Sequence, residues 1–127
     1  MLLLDTCTLI WWTLFPEELS KRAKTLLEQR DILVAVCSIS IWEFGIKVKK
    51  RQLAYHQSVG HYVEHLQQIE NFKIIPMDEK IWIKTLELNW KHKDPADRSI
   101  VATALIHQVP LITPDRAIKA FYSKTIW

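Results

Sequence analysis

Two rhythms of apolar residues alternate along this chain. Short unbroken runs at residues 2–4, 32–36, 72–75 and 109–112 predict buried β-strands, and residues 125–127 predict a short fifth strand at an edge. Between them lie longer stretches in which apolar positions recur three or four apart, the spacing of a helix face. These predict helices over 9–14, from Pro16 to about residue 30, over 59–69, over 78–90 and over 100–107, with a short one at 116–121. A further helix, opened by Ser38 or Ser40, carries Ile39, Trp42, Glu43 and Ile46. Local chemistry sets several boundaries. Pro16 followed by Glu17 and Glu18 suits a helix start, because proline lacks only an N–H that is unpaired there and acids favour the positive end of the helix dipole. Pro76 ends a strand, and His92-Lys93-Asp94-Pro95 interrupts the helical pattern.

Strands that alternate with helices imply an α/β fold, with a central, mostly parallel sheet of four to five strands covered by helices on both faces. No repeat, low-complexity tract or linker divides residues 1–127, so the pattern predicts one domain. In such sheets the functional site lies at the carboxyl ends of the strands. Asp5 follows the first strand, Asp115 follows the fourth, and Asp97 stands at the start of a packed helix.

Composition narrows the chemistry. With 127 residues, 49% of them hydrophobic and 24% charged, the chain is too apolar for disorder and too interrupted for a membrane span. The opening run Leu2–Leu4 is too short for a signal peptide and lacks its basic flank, which places the protein in the cytoplasm with no membrane partner. A net charge of only +3 argues against binding nucleic acid by bulk charge. Two glycines, Gly45 and Gly60, cannot build the phosphate-cradling loops of Walker or Rossmann sites. Two cysteines, Cys7 and Cys37, are too few for a disulfide framework or a structural zinc site, and their apolar neighbours predict a role in core packing.

The acids are the informative residues. Two carboxylates ~4 Å apart repel by about 4 kcal/mol at an effective dielectric of 20, a large share of a domain's stability. A cluster of Asp5, Glu43, Asp97 and Asp115 therefore needs protons or a hard divalent cation, and carboxylate and water oxygens are what such a cation prefers. Each acid also has a structural reading. Asp5 can cap the helix that follows it, Asp115 can start the helix at 116–121, and Asp97 can cap a helix while pairing with Arg98. Glu43 stands at capping-box spacing from Ser40 and one turn before Lys47. Asp94 can be a turn residue before Pro95.

The order and context of these motifs carry a resemblance. Leu2-Leu3-Leu4-Asp5-Thr6, then Ser40-Ile41-Trp42-Glu43 leading to Ile46-Lys47, then Asp94-Pro95-Ala96-Asp97-Arg98 with Ile100 and Ala102, and finally Leu111-Ile112-Thr113-Pro114-Asp115 resemble the ordered acidic motifs of PIN-domain ribonucleases, the VapC-type toxins of type II toxin–antitoxin systems. The resemblance spans nearly the whole chain, to Ile126-Trp127. It implies a PIN-like fold and an endoribonuclease dependent on Mg2+ or Mn2+ that hydrolyses RNA phosphodiester bonds. It also implies a homodimer, extending to a larger hetero-oligomer with a cognate VapB-type antitoxin whose tail occupies the acidic groove. By the same resemblance Asp5, Glu43, Asp97 and Asp115 are the catalytic, metal-binding acids. Thr6 and Thr113 hold waters or carboxylates beside them, and Asp94 is an additional supporting acid. Ala96 stands where relatives often carry a larger apolar residue, and Cys7 where many carry His.

Lys47, Lys50 and Arg51 follow Glu43 on the same predicted helix and are candidates for RNA contact, against the commoner reading of a solvated basic face. His92 reads as a hydrogen-bonding loop residue rather than a metal ligand, having no second His or Cys at a ligand spacing. The six tryptophans can stack on bases, but their spacing among Leu and Ile favours core or dimer surface. An aspartate-based phosphatase would need an acid where Cys7 stands, and a receiver domain would need paired acids after the first strand. The remaining alternative is a catalytically silent PIN-fold module that acts by binding RNA or protein.

Overall fold

A computed structural model describes residues 1–127. Five parallel strands, β1 (Leu2–Leu4), β2 (Val34–Cys37), β3 (Phe72–Ile75), β4 (Leu111–Ile112) and β5 (Thr125–Ile126), form one sheet in the order β3-β2-β1-β4-β5. Successive side chains of a strand point to opposite faces, so β1 divides its leucines. Leu3 joins Ala35, Cys37, Ile75 and Leu111 in one core, beneath α5 (Glu79–Glu87), α6 (Pro95–His107) and α7 (Arg116–Phe121). Leu2 and Leu4 join Val34, Val36 and Ile112 in the other, beneath α1 (Thr6–Leu14), α2 (Lys21–Leu27), α3 (Ile39–Lys49) and α4 (Val59–Gln67). Both faces are covered, as the alternation of elements predicts. The chain moves outward from β1 in one direction through β2 and β3, then returns to β1's other edge as β4. That reversal leaves a crevice above the carboxyl ends of β1 and β4, where open α/β sheets bind ligands. No helix is long and apolar enough to cross a membrane.

The structure departs from the sequence expectations where a polar side chain takes control of the backbone. The helix expected from Pro16 to about residue 30 is broken. Pro16–Glu18 form a single 3-10 turn, Leu19 is extended and buried, and Ser20 starts α2 by accepting a hydrogen bond from the Ala23 N–H at 3.0 Å. The first helix begins at Thr6, three residues before the apolar rhythm suggests, because Asp5 caps it through a 2.8 Å bond from the Thr8 N–H. Strand β2 starts two residues later than expected and ends one later, since Ile32 is still held in a turn that follows α2 by its N–H bond to the Gln29 carbonyl. Ser38 does stand at the head of α3, but its hydroxyl accepts from the Met77 N–H instead of capping the helix. Helix α5 stops at Glu87 rather than running to Trp90, and α6 starts at Pro95, capped by Asp94 and not by Asp97.

Candidate active site

Three helix N-termini converge on the crevice, each capped by an acid. Asp5 Oδ1 accepts from Thr8 N at 2.8 Å, Asp94 Oδ1 accepts from Ala96 N and Asp97 N at 2.9 and 3.1 Å, and Asp115 Oδ1 accepts from Ile118 N at 2.9 Å. The capping readings of Asp5 and Asp115 are thus correct, Asp94 caps α6 where the sequence suggested only a turn residue, and all three caps face one cavity. With Asp94 as the cap, Asp97 falls in the first turn of α6, where its carboxylate is free to turn outward. Together with Glu43 from α3 they line one cavity of about 300 Å³, walled also by Thr6, Cys7, Lys47 and Pro114. Helix dipoles favour negative charge at their N-termini by about 0.3–1 kcal/mol each, which offsets part of the repulsion among the acids.

Two threonines and a histidine fix the acids from behind. The buried Thr113 hydroxyl, at the carboxyl end of β4, donates to Asp5 Oδ2 and accepts from the Asp115 N–H at 3.0 Å, so one side chain sets the spacing of two acids. Thr6, also buried, donates to Glu43 Oε1 and lies 3.0 Å from the Ser40 hydroxyl. Ser40 is therefore bound to Thr6, which removes the capping-box reading of Glu43. His92 Nε2 lies 2.7 Å from Asp97 Oδ2, the one ion-pair contact in the protein. Its ring stacks on Trp90, with centroids 4.6 Å apart, and Trp90 stacks on Phe121 at 4.8 Å.

Arg98 does not pair with Asp97 as the sequence suggested. Its Nη1 donates to the carbonyls of Trp90 at 2.6 Å and His92 at 3.1 Å, and its Nη2 to those of Thr85 and Leu88, both at 2.9 Å. Four carbonyls gathered by one guanidinium end α5 early and hold the loop that carries His92. The reading of His92 as a hydrogen-bonding loop residue is correct, though the sequence did not identify Asp97 as its partner. Arg98 and Ser40 stand in the motifs, but the sequence assigned them the wrong partners: Arg98 was paired with the acid beside it, and Ser40 with Glu43 through a capping box.

Burial is the largest influence on the three perturbed acids and raises the pKa of each. Asp5, which is 4% exposed, is also raised by Asp97, while the bonds from Thr113 and Thr8 pull it down. Glu43 is raised further by Asp94 and Asp97, and lowered by the Thr6 bond and by Lys47. Asp97 is raised further by Asp94 and Asp115 and lowered by His92. Burial, then Asp5, push the Cys7 thiol up to about 12. Contrary to the sequence expectation, Cys7 is not a core residue. It is half-buried on the cavity wall, whereas Cys37 is buried.

As the side chains stand, no three His, Cys, Asp or Glu groups form a ready-made ion site, so the expected four-acid grip on one ion is not pre-assembled. Each of these acids is instead bonded within the wall: Asp5 to Thr8 and Thr113, Glu43 to Thr6, Asp97 to His92 and Asp115 to Ile118. The donor chemistry nevertheless fits a hard divalent cation. The cavity offers carboxylate oxygens that keep a second lone pair, and its acids raise one another's pKa, a penalty that a cation would relieve. Of the candidate RNA contacts, Lys47 lines this cavity and Lys50 an adjoining one. Arg51 lines neither. It lies beyond the end of α3, exposed and with a left-handed backbone at φ 57°, so it is not on the helix as expected.

Comparison with known proteins agrees with this fold. Residues 2–124 match the PIN domain family. The chain is 29% identical over 119 residues to "Ribonuclease VapC22" of Mycobacterium tuberculosis (strain ATCC 25618 / H37Rv), an alignment covering 93% of this chain and 89% of that protein. A solved "Toxin-antitoxin complex from Klebsiella pneumoniae" superposes with a TM-score of 0.71 at 25% identity, covering 100% of this chain and 97% of that one. The structure of FitAcB from Neisseria gonorrhoeae shares the fold, with a TM-score of 0.64 at 22% identity over 92% of this chain and 89% of its own. Parallel strands in the order β3-β2-β1-β4-β5, acids gathered at the β1/β4 crevice and a family match over nearly the whole length lead to one assignment: this chain belongs to the PIN domain family.

Proposed function

We propose that residues 1–127 act as one PIN domain with endoribonuclease activity, dependent on Mg2+ or Mn2+, and serve as the toxin half of a toxin–antitoxin pair in the cytoplasm. The observation that carries this reading is the gathering of Asp5, Glu43, Asp97 and Asp115 around one polar cavity at the switch point of the sheet. Those four acids would hold the cation, which when bound supplies charge stabilisation to a phosphodiester and a more acidic water. The protein's own part is positioning. Thr113 keeps Asp5 and Asp115 in register, Thr6 keeps Glu43 turned toward Asp5, and His92 orients Asp97. Glu43, lifted toward neutrality by burial, is suited to exchange a proton with water in the cavity at its carboxylate oxygens. Lys47 is the one cation lining the cavity and would draw the RNA backbone to it, with Lys50 beside it and Arg51 further out.

Resemblance to a ribonuclease and to a chain of a toxin–antitoxin complex supports the substrate and the partner. A homodimer is supported by α5, which leaves Trp82, Ile83 and Leu86 exposed on one side, with Leu86 82% exposed. Incubation of the purified protein with single-stranded RNA, with and without Mg2+ or Mn2+, tests the reading. Cation-dependent cleavage with discrete ends is expected. Intact RNA under all conditions, with the protein folded and still binding RNA, would assign it instead to a silent binding module.

A further inference from the structure

Of the six tryptophans, Trp11 packs with Trp127, Trp12 with Phe72, and Trp90 with His92 and Phe121, which leaves Trp42 and Trp82 without an aromatic partner. Only Trp42 of these two borders the acids. It is 61% exposed, precedes Glu43 on α3, and walls a second cavity of about 300 Å³ with Lys50 and Pro95. Glu43, Lys47 and Asp94 line both this cavity and the acidic one, so the two are continuous. An indole with most of its surface in water gains little from burial, and this one stands beside the acidic cavity.

Electrostatics gives that cavity a direction. A polyanion meets acids on most of the wall of the acidic cavity, where Lys47 is the one cation, and Lys50 adds positive charge in the adjoining cavity that Trp42 lines. Glu43 and Lys47 stand one turn apart on α3 and Lys50 caps its C-terminus, so one side of the helix carries both lysines past the acids, with Trp42 beside Glu43 on the wall of the same cavity. A base has an apolar face that stacks on an exposed indole, and its flanking phosphates pair with lysines. Single strands supply both because their bases are free of a partner strand. Resting on the endoribonuclease reading, we propose that Trp42 and Lys50, with Lys47 between them and the acids, form a subsite of α3 that stacks and holds the nucleotide next to the phosphate being cut in single-stranded RNA. Trp42 is then a substrate-positioning residue that sets which bases are accepted.

The test uses the full chain carrying Asp97→Asn to silence cleavage, with a fluorescein-labelled single-stranded oligoribonucleotide and Mg2+, followed by anisotropy across a range of salt. Adding Trp42→Ala weakens binding about tenfold to a hundredfold and leaves the salt dependence unchanged, while Trp42→Phe retains most of the affinity. Lys50→Ala instead lowers the slope of log affinity against log salt by about 0.7, the loss of one phosphate contact on a single strand. Unchanged affinity in the Trp42→Ala protein overturns the subsite. So does a change in its sedimentation without loss of RNA binding, which would assign the indole to a protein interface such as the apolar groove between α3 and α4 that it also lines. If RNA binding depends on Trp42 but the parent chain never cleaves, the nuclease reading fails and Trp42 and Lys50 stand as an RNA-binding site without a cleavage role. If the parent cleaves but binding ignores Trp42, the subsite alone fails.

Discussion

Replacing Asp97 by Asn should make the metal-free protein more stable while removing its activity. Asp97 lies within electrostatic reach of Asp5, Glu43, Asp94 and Asp115, and burial adds to the cost of its charge. Two carboxylates ~7 Å apart at an effective dielectric of ~40 repel by about 1.2 kcal/mol, so losing two or three such pairs relieves about 2–3 kcal/mol. Partial protonation of the buried acids lowers that figure, and the bond to His92 becomes weaker by about 1 kcal/mol when its acceptor is uncharged. The net expectation is a gain of about 1 kcal/mol, or a melting temperature higher by about 3–6 °C in a chelator. High salt should shrink the difference, because ~1 M salt screens charges beyond about 3 Å. Saturating Mg2+ or Mn2+ should reverse the order, since the wild type then gains binding energy that the variant has lost. Thermal melts of both proteins in chelator and in cation, alongside RNA cleavage, measure all of this. A variant that melts lower than wild type in chelator would refute the claim of unrelieved repulsion at this cavity.

Four further outcomes are expected. Arg98→Lys should destabilise the protein by about 2–4 kcal/mol, because an ammonium cannot reach four carbonyls that a planar fork now gathers, and denaturant unfolding reads this directly. Thr113→Val keeps the shape but leaves the buried Asp5 oxygen and the Asp115 N–H without their partner, costing about 1–3 kcal/mol in stability and lowering cleavage. Asp5, Glu43 and Asp97 have raised pKa values, so above the ordinary carboxylate range the folded state holds more protons than the unfolded chain. In chelator the melting temperature should therefore fall as pH rises through that window, and with saturating Mn2+ the trend should reverse because protons compete with the ion. Sedimentation tests the proposed homodimer: Leu86→Glu, on the exposed face of α5, should yield a folded monomer where the parent chain sediments as a dimer.

The strands and their parallel arrangement, though not their order, were legible because strands buried on both faces read as unbroken apolar runs. Asp5 and Asp115 were legible for a related reason: each follows such a run, and strand ends at a switch point are where ligands bind. The boundaries were less legible because single polar side chains set them. Ser20 breaks a helix that periodicity alone would continue, and Asp94 takes the cap that the pattern gave to Asp97. Thr6 and Thr113 were named through the family resemblance, but which acid each one binds was hidden for a different reason. Thr113 and Asp5 are 108 residues apart and Thr6 and Glu43 37 apart, distances across which a sequence carries no local signal. Arg98 misled because its nearest acid in sequence is not its partner in space, and Cys7 because apolar neighbours along the chain do not reveal a polar cavity beside it.

Electron paramagnetic resonance of Mn2+, titrated into the wild type and into Asp5→Asn with RNA cleavage followed in the same samples, would test the role of the acids most directly. Bound Mn2+ in the wild type that rises in step with cleavage, and loss of both in Asp5→Asn while the fold is retained, is the predicted result. Cleavage that persists in chelator, or Mn2+ bound equally by both proteins, would mean that these acids do not hold the ion on which the reaction depends.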